Sequence, residues 1–127
     1  MMAVKKAAAK KVEEKEALRY NTGKPQLSYL LHYPKAMEAL VRVLEQGAVK
    51  YEPLNWKLGN KPDEEYLDAA LRHLFSHVND GPYDDDIGVV SVAQAVWNLV
   101  TWIELNSDGI ETIDPEFNQD EFVARYS

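Results

Sequence analysis

The chain has 127 residues and a mass of 14.5 kDa, which is the size of one ordinary domain. It contains no cysteine, so disulfide scaffolds, thiolate metal sites, cysteine nucleophiles and thiol redox chemistry are excluded. It has no run of about 18 apolar residues that could span a membrane, and its N-terminus lacks the apolar core of a secretory signal. These features predict a cytoplasmic protein, in the host cell if the chain is viral, with no membrane partner.

The net charge of −7 is distributed unevenly along the chain. Residues 1–17 carry five lysines and three glutamates, so the rest of the chain is more acidic than the total. An acidic body argues against long nucleic acid as a partner, because duplex binding requires a basic face that releases counterions. A small phosphate ligand is compatible with this charge, since a few Arg and Lys side chains or a divalent cation can hold phosphates.

Residues 2–17 are rich in Ala, Lys and Glu, which are strong helix formers, but few large apolar side chains are present to dock such a helix. We therefore expect an N-terminal helical arm or extension over residues 1–18. A single helical domain is expected over residues 19–127, and it starts with a connector at 19–33.

Apolar periodicity predicts two helices in the middle of the chain. The first begins at Pro34, where proline suits the first turn, and ends at Gly47. The second opens at Asn60 or Pro62 and stops at the turn 80–82. Its large apolar residues are expected to be its buried stripe, namely Leu67, Leu71, Leu74 and Val78, together with Ala70.

A third main helix is predicted over residues 87–106, and it is apolar nearly all round. Its valines would suit a strand, but its length favours a helix. Asp114 and Pro115 resemble an N-cap and the first position of a short last helix that ends near Tyr126. Three main helices are too few to cover the apolar surface of the third. The sequence therefore predicts an all-α, small helical bundle that is completed by homo-oligomerisation as a dimer or tetramer.

The few polar residues of the third helix form one stripe, because they are spaced three, four and three residues apart: Ser91, Gln94, Asn98 and Thr101. An unpaired buried polar group costs about 1–3 kcal/mol, so this stripe requires hydrogen-bond partners. It faces either a cleft that holds water or ligand, or a neighbouring helix or subunit. The sequence leaves both alternatives open.

Carboxylates on the second helix and in the following loop are candidate metal ligands. Glu65 and Asp68 form an E-x-x-D unit, whose two carboxylates can share Mg²⁺ or Mn²⁺. The acidic loop 84–86, through Asp85, adds a further ligand to this prediction. The alternative is that these acids only complement the helix N-terminus and solvate the loop.

His73 and His77 share a face of the second helix, four residues apart. This spacing occurs in the histidine pairs of zinc enzymes. It fixes no third ligand, however, so a structural or surface role is favoured over zinc.

Polar and aromatic residues also gather outside the predicted helices. Arg19 and Lys24 place two cations beside Gly23, and glycine lets a backbone approach a phosphate closely. The segment 50–56 combines a cation, an amide and two rings in Lys50, Tyr51, Asn55 and Trp56. Aromatic faces stack bases, and an amide can read a base edge. Together with the acids, these groups contain what a nucleotide pocket requires.

The order of these motifs resembles the phage dATP/dGTP diphosphohydrolase family over residues 19–105. The matching blocks are R-x-x-x-G-K-P from Arg19, G-A-x-K-Y-x-x-x-N-W from Gly47, A-L-R-H-L from Ala70, and the acidic loop 84–86 before an apolar helix. The resemblance implies an all-α, MazG-like protein that acts on purine deoxynucleoside triphosphates. The family reaction uses a divalent metal, releases pyrophosphate and leaves the monophosphate.

As an enzyme, the chain would bind Mg²⁺ or Mn²⁺ through Glu65, Asp68 and Asp85, and His73 and Asp85 would serve catalysis, His73 as a proton shuttle. The nucleotide would contact the predicted cations, rings and amides, which are Arg19, Lys24, Lys50, Tyr51, Asn55, Trp56, Arg72, Ser91, Gln94 and Asn98.

Two departures from the family pattern support a second hypothesis. The last family helix carries H-x-x-H where this chain has Ser91 and Gln94, and the upstream E-x-x-E of the wider MazG-like pattern is matched only by Glu13 and Glu16 in the arm. Without those histidines, the chain would be a non-catalytic, metal-free sponge that sequesters a nucleotide-derived immune signal. A third hypothesis, a structural assembly module, leaves the clustering of Arg, Lys, Asn and Trp in loops unexplained.

Overall fold

A computed structural model describes residues 17–20 and 23–127. The chain divides into two compact units, one that ends at His32 and one that spans Tyr33–Ser127. The predicted arm lies outside the described residues except for its last two, and the predicted boundary after residue 18 falls within the first unit. The described residues form four α-helices and two short 3₁₀ helices, and they contain no strand beyond one isolated bridge. The predicted all-α class is therefore confirmed.

The described part of the first unit contains a 3₁₀ helix, Leu27–His32. Such helices are short because their hydrogen-bond geometry is poorer than that of an α-helix. The apolar side chains on this one are exposed, including Leu27, Tyr29 and Leu31. This segment belongs to the connector that the sequence predicts.

Helix α1 spans Pro34–Lys50 and begins at the predicted proline. The prediction that Gly47 ends it is wrong. The backbone N–H of Tyr51 donates to the Gly47 carbonyl oxygen at 2.9 Å, so the helical hydrogen bonding continues past the glycine. A glycine inside a helix costs only about 1 kcal/mol relative to alanine, whereas the nearby Pro53 cannot continue the helix.

A 3₁₀ helix, Asn55–Leu58, connects α1 to the next helix and has a left-handed residue at each end. Leu54 has φ 61° and Gly59 has φ 60°. A Cβ atom on Gly59 would lie 3.2 Å from Cδ2 of Leu105, so this loop packs closely against the C-terminal end of the third α-helix. The contact fixes the position of the segment that carries Trp56.

Helix α2 spans Asp63–Asp80, and Pro62 is its N-cap residue. Of the two predicted starting positions, Asn60 and Pro62, the second is therefore correct. Its first turn carries three acidic residues, which the positive end of the helix dipole favours. The predicted buried stripe is wrong except for Ala70: Leu67, Leu71, Leu74 and Val78 are exposed. Ala70 is the one buried residue of this helix.

Helix α3 spans Ser91–Leu105, so it begins four residues later than predicted. Gly88 has φ 74°, and Tyr83 forms an isolated antiparallel bridge with Val90, which holds the preceding residues in a tight turn. The last helix, α4, spans Gln119–Arg125. It does not start at Asp114: that carboxylate accepts a hydrogen bond from the Glu116 N–H at 2.9 Å, as an N-cap residue would, but only a turn follows, and Asn118 caps the helix instead.

Helix α3 is central, as predicted, because it packs against both α2 and α1. The buried apolar cluster is small and consists of Val43, Val89 and Ala93. The polar stripe of α3 is the buried side: Ser91, Gln94, Asn98 and Thr101 have fractional exposures of 0–5 %. The apolar side of the same helix is exposed, which is the reverse of an ordinary amphipathic helix.

None of the helices in the described ranges is long and apolar enough to cross a membrane.

Candidate functional site

A groove of about 1200 Å³ opens in the second unit, between α1 and α2, and α3 supplies its floor. Small-molecule sites usually measure about 300–1,000 Å³, so the groove has room for a nucleotide. Its walls are the C-terminal half of α1, the connection 51–61 and the N-terminal half of α2. The acidic loop that precedes α3 lies at its edge.

The groove brings together many residues that the sequence predicts for a nucleotide site: Lys50, Tyr51, Asn55, Trp56, Glu65, Asp68, Arg72, His73, Gln94 and Asn98. Asp85 and Ser91 do not line it. Arg19 and Lys24 belong to the first unit, where both are exposed. Their assignment to the nucleotide stays a prediction.

The floor of the groove carries two amides from the polar stripe. Gln94 and Asn98 are each 5 % exposed, and the Asn98 amide nitrogen donates to the Gln94 backbone carbonyl oxygen at 2.9 Å. The Oε1 atom of Gln94 is buried and has no hydrogen-bond partner among the described residues. A buried unpaired acceptor costs about 1–3 kcal/mol, so a ligand that donates a hydrogen bond here would relieve a penalty.

The polar stripe of α3 is divided between the groove and the helix packing around it. Gln94 and Asn98 line the groove, as the cleft alternative requires. Ser91 and Thr101 are buried without lining it, but the Ser91 hydroxyl has no hydrogen-bond partner among the described residues, so the hydrogen-bonded contact of the helix-packing alternative is not formed at Ser91. The groove therefore uses only the middle of α3.

The rings lie in the connection between α1 and α2. Trp56 is half-buried and Tyr51 is exposed, and both line the groove. The Nζ atom of Lys50 lies 5.4 Å from the ring centroid of Tyr51, and that of Lys57 lies 5.8 Å from that of Trp56. These are cation–π distances, so each ring keeps a positive charge beside a surface on which a base can stack.

Lys50 and Arg72, together with Lys61, are the cations that line the groove. Lys50 forms an ion pair with Asp86, and this hydrogen bond raises the pKa of the lysine. Arg72 lines the groove from α2 and is absent from the ion pairs that the described residues form. A guanidinium can bind phosphate oxygens bidentately, so Arg72 is suited to an anionic ligand.

The acidic loop is largely occupied by its own contacts. The Asp84 carboxylate accepts hydrogen bonds from the backbone N–H groups of Asp86 at 2.8 Å and Ile87 at 2.9 Å. Asp86 is paired with Lys50, and Asp85 is exposed outside the groove. The geometry therefore gives no support to the metal and catalytic roles predicted for Asp85.

Glu65 and Asp68 line the groove one helical turn apart on α2. In the described part of the chain, no group of three or more His, Asp or Glu side chains could hold a metal ion. Mg²⁺ at phosphate sites is commonly held by one or two carboxylates together with substrate phosphates and water. This carboxylate pair therefore fits a divalent ion that a bound phosphate helps to coordinate.

His73 is half-buried on the wall that α2 forms. Burial lowers its pKa, which outweighs the opposing effect of Asp84. The imidazole is therefore neutral near pH 7 and can accept a proton. His77 is exposed and does not line the groove, so the histidine pair does not converge there.

Sequence reasoning missed Trp97, which lines the floor beside the two amides. On a helix that is apolar nearly all round, composition does not indicate which ring faces a cavity. The usable signal is its position three residues after Gln94, since residues at that spacing share a helix face.

The family model described as dATP/dGTP diphosphohydrolase, N-terminal, matches residues 14–115. No curated protein and no solved structure matches the chain. The family match covers the groove-lining segments of both α1 and α2, and it extends through all of α3. The chain thus belongs to the dATP/dGTP diphosphohydrolase family.

Proposed function

We propose that the groove binds a purine nucleoside triphosphate and that the chain hydrolyses it to the monophosphate and pyrophosphate. One observation carries the proposal: stacking rings, buried amides, cations and a carboxylate pair all line the same cavity. The family to which the chain belongs supports the substrate class.

The base lies at the end of the groove formed by Trp56 and the floor. Trp56 stacks on the base, and the unpaired Oε1 atom of Gln94 accepts a hydrogen bond from an exocyclic amino group. Adenine and guanine both carry such a group. The Asn55 amide, in the same connection as Trp56, lies where it can contact a base edge.

The triphosphate lies against α2 and the end of α1. Arg72 and Lys50 neutralise phosphate oxygens, with Lys50 exchanging its partner Asp86 for the phosphate. Glu65 and Asp68 would hold Mg²⁺ or Mn²⁺. When bound, such an ion polarises the phosphoryl group and lowers the pKa of a coordinated water. The neutral imidazole of His73 accepts the proton from the attacking water.

A second function, sequestration of a nucleotide or nucleotide-derived signal without turnover, is favoured by the state of the acidic loop. Asp84 caps its own loop and Asp86 is engaged by Lys50, so two acids near the groove are already satisfied. Ser91, which the sequence resemblance assigns to a histidine position of the family pattern, is fully buried and does not line the groove. Such a protein needs the rings and cations but not the carboxylate pair.

Incubation with dATP, dGTP and pyrimidine triphosphates, with and without Mn²⁺, separates these functions. The proposal expects metal-dependent release of monophosphate and pyrophosphate from the purine nucleotides. Glu65→Gln should reduce turnover by roughly a hundredfold or more, on the scale of losing one catalytic electrostatic contact. Glu64→Gln is the matched control, because its carboxylate precedes that of Glu65 on α2 and does not line the groove.

Absence of turnover with every nucleotide and metal contradicts the hydrolase. If a nucleotide is then recovered intact from the denatured protein, the sequestration function replaces it. If calorimetry also detects no binding, both functions fail.

A further inference from the structure

The groove is larger than one nucleotide requires. Its volume of about 1200 Å³ exceeds the range of about 300–1,000 Å³ that is usual for drug-sized ligands, and a nucleoside triphosphate is a ligand of that size. In the proposed function the base stacks on Trp56 and the phosphates contact Arg72 and Lys50, which leaves Tyr51 without a role. Tyr51 lines the groove and is 61 % exposed, so its ring is open to a ligand.

Tyr51 and Trp56 form two separate stacking surfaces of the same construction, which we call the tyrosine platform and the tryptophan platform. Each ring has a lysine beside it. The Nζ atom of Lys50 lies 5.4 Å from the ring centroid of Tyr51, and the Nζ atom of Lys57 lies 5.8 Å from that of Trp56. Every base has a π-face that can stack on such a ring. The groove therefore offers a surface for a second base.

The two platforms are anchored toward opposite ends of α3. Lys50, which precedes the tyrosine, pairs with Asp86 in the loop before this helix. Gly59, three residues after the tryptophan, packs against the last residue of the helix, because a Cβ atom on Gly59 would lie 3.2 Å from Leu105 Cδ2. Five residue steps separate the two rings in the chain, so their Cα atoms are at most about 18 Å apart. Two linked nucleosides can bridge that span.

The charge of the groove favours a ligand with few negative charges. Its lining contains three cations and five carboxylates, so a triphosphate depends on a divalent cation there. A phosphodiester carries only one negative charge per phosphate. Arg72 lines the groove from the middle of α2 and is absent from the ion pairs of the described residues. Its guanidinium can hold one such phosphate without a metal.

We propose that the groove binds a dinucleotide, in which two purine nucleosides are joined through phosphodiester bonds. One base stacks on each platform, and a bridging phosphate contacts Arg72. The inference rests on the proposed function, from which it takes the base on the tryptophan platform. Binding requires no metal, because the carboxylate pair Glu65 and Asp68 contacts neither base. A linear dinucleotide, with one phosphodiester, and a cyclic one, with two, present the same recognised groups.

Titration calorimetry in EDTA tests the proposal with three ligands: AMP, the linear dinucleotide adenylyl-(3′→5′)-adenosine, and cyclic di-AMP. At least one dinucleotide should bind with a Kd roughly tenfold or more below that of AMP, which is the scale of one additional base stack. The comparison of the linear with the cyclic ligand identifies the linkage that fits the groove.

Substitutions of the two rings test the assignment of one base to each. Tyr51→Ala should raise the Kd of the dinucleotide to about that of AMP and leave the Kd of AMP unchanged, because AMP occupies the tryptophan platform. Tyr51→Phe keeps the ring and should keep the wild-type Kd, whereas Trp56→Ala should weaken the binding of both ligands. Tyr126→Ala is the matched control. The Tyr126 ring is 73 % exposed, lies 5.9 Å from Cζ of Arg125 and does not line the groove.

The proposal is overturned if neither dinucleotide binds more tightly than AMP. It is also overturned if Tyr51→Ala weakens the binding of AMP and of the dinucleotide equally, because the ring then supports a single site. Neither outcome bears on the proposed hydrolase, whose measurement is the release of pyrophosphate from a purine triphosphate. Tight dinucleotide binding without any such release supports this proposal and contradicts the hydrolase.

Discussion

Lys50 and Asp86 join the C-terminal end of α1 to the acidic loop before α3, 36 residues apart in the chain. Both side chains line the groove, and the contact with Asp86 raises the pKa of the lysine. The lysine is thus charged throughout the physiological range, and in the proposed function a phosphate would replace the carboxylate as its partner. Under that proposal, the ion pair would compete with the anionic ligand.

Replacing Asp86 should therefore strengthen nucleotide binding. In Asp86→Asn the lysine keeps its charge and loses its competitor, so we expect a severalfold lower Kd for a triphosphate in titration calorimetry. Lys50→Met should weaken binding instead, and the effect of Asp86→Asn should vanish in the double variant. Asp120→Asn on α4 makes the same charge change outside the groove and should leave the Kd unchanged. Equal Kd values for Asp86→Asn and the wild type would contradict the competition.

The unpaired Oε1 atom of Gln94 predicts discrimination by the exocyclic amino group of the base. Replacing Gln94 by the similarly shaped Met removes the acceptor and its burial penalty together. We expect an affinity loss of about 1–3 kcal/mol for a purine triphosphate with an exocyclic amine. An analogue that lacks the amine should bind the wild type and Gln94→Met equally.

Gln119→Met is the control for that comparison, since it makes the same substitution on α4, away from the groove. If Gln94→Met lowers the affinity for both analogues to the same extent, the amide supports the floor of the groove rather than reading the base.

How far the sequence predicts this molecule depends on whether a feature is local. Pro34 and the acids of the first turn of α2 act within one turn of helix, so both helix starts follow from the sequence. Gly47 does not end α1, because whether a glycine ends a helix depends on whether the residues after it continue the helical hydrogen bonding. The start of α3 shifts because Gly88 and the Tyr83–Val90 bridge are tertiary features.

The sequence predicts the types of residue at the site more successfully than it predicts which individual residues line the groove. The polar stripe on α3 follows from the spacing of its residues along the helix. That spacing places Ser91 and Gln94 on the same face, so it does not indicate which of them lines the groove. The positions of α1 and α2 determine that only Gln94 does. The acidic loop illustrates the same limit. Three consecutive aspartates are chemically alike, yet one caps the loop, one is exposed and one pairs with Lys50.

The close approach of Gly59 to Leu105 predicts that this position requires glycine. Gly59→Ala would place a Cβ atom 3.2 Å from Leu105 Cδ2 and force a non-glycine residue to adopt φ 60°. We expect a loss of about 1–2 kcal/mol in the free energy of unfolding, measured by urea denaturation. Gly109→Ala is the matched control, because the nearest atom lies 3.9 Å away and the change should be near neutral. Equal destabilisation of both variants would show that Gly59 is not specially constrained.

Because His73 is half-buried, we expect the stability of the folded chain to depend on pH. Because burial lowers its pKa in the folded chain below the ordinary value near 6.5, the unfolded chain binds more protons. Above the ordinary pKa, His73 is neutral in both states and its burial costs no stability. As the pH falls from the ordinary pKa to the lowered pKa of the folded chain, the free energy of unfolding decreases. Urea denaturation between pH 5 and pH 8, the range in which histidine titrates, should show this loss.

His73→Gln should remove that part of the acid sensitivity, because glutamine has no proton to gain, while His77→Gln on the exposed side of α2 should behave like the wild type. The same substitution tests the proposed proton acceptor. If His73 takes the proton from water, the wild-type rate of hydrolysis should decline only below the ordinary histidine pKa, and His73→Gln should be slower by roughly a hundredfold with no such decline. An unchanged rate together with an altered stability profile would limit His73 to a structural role.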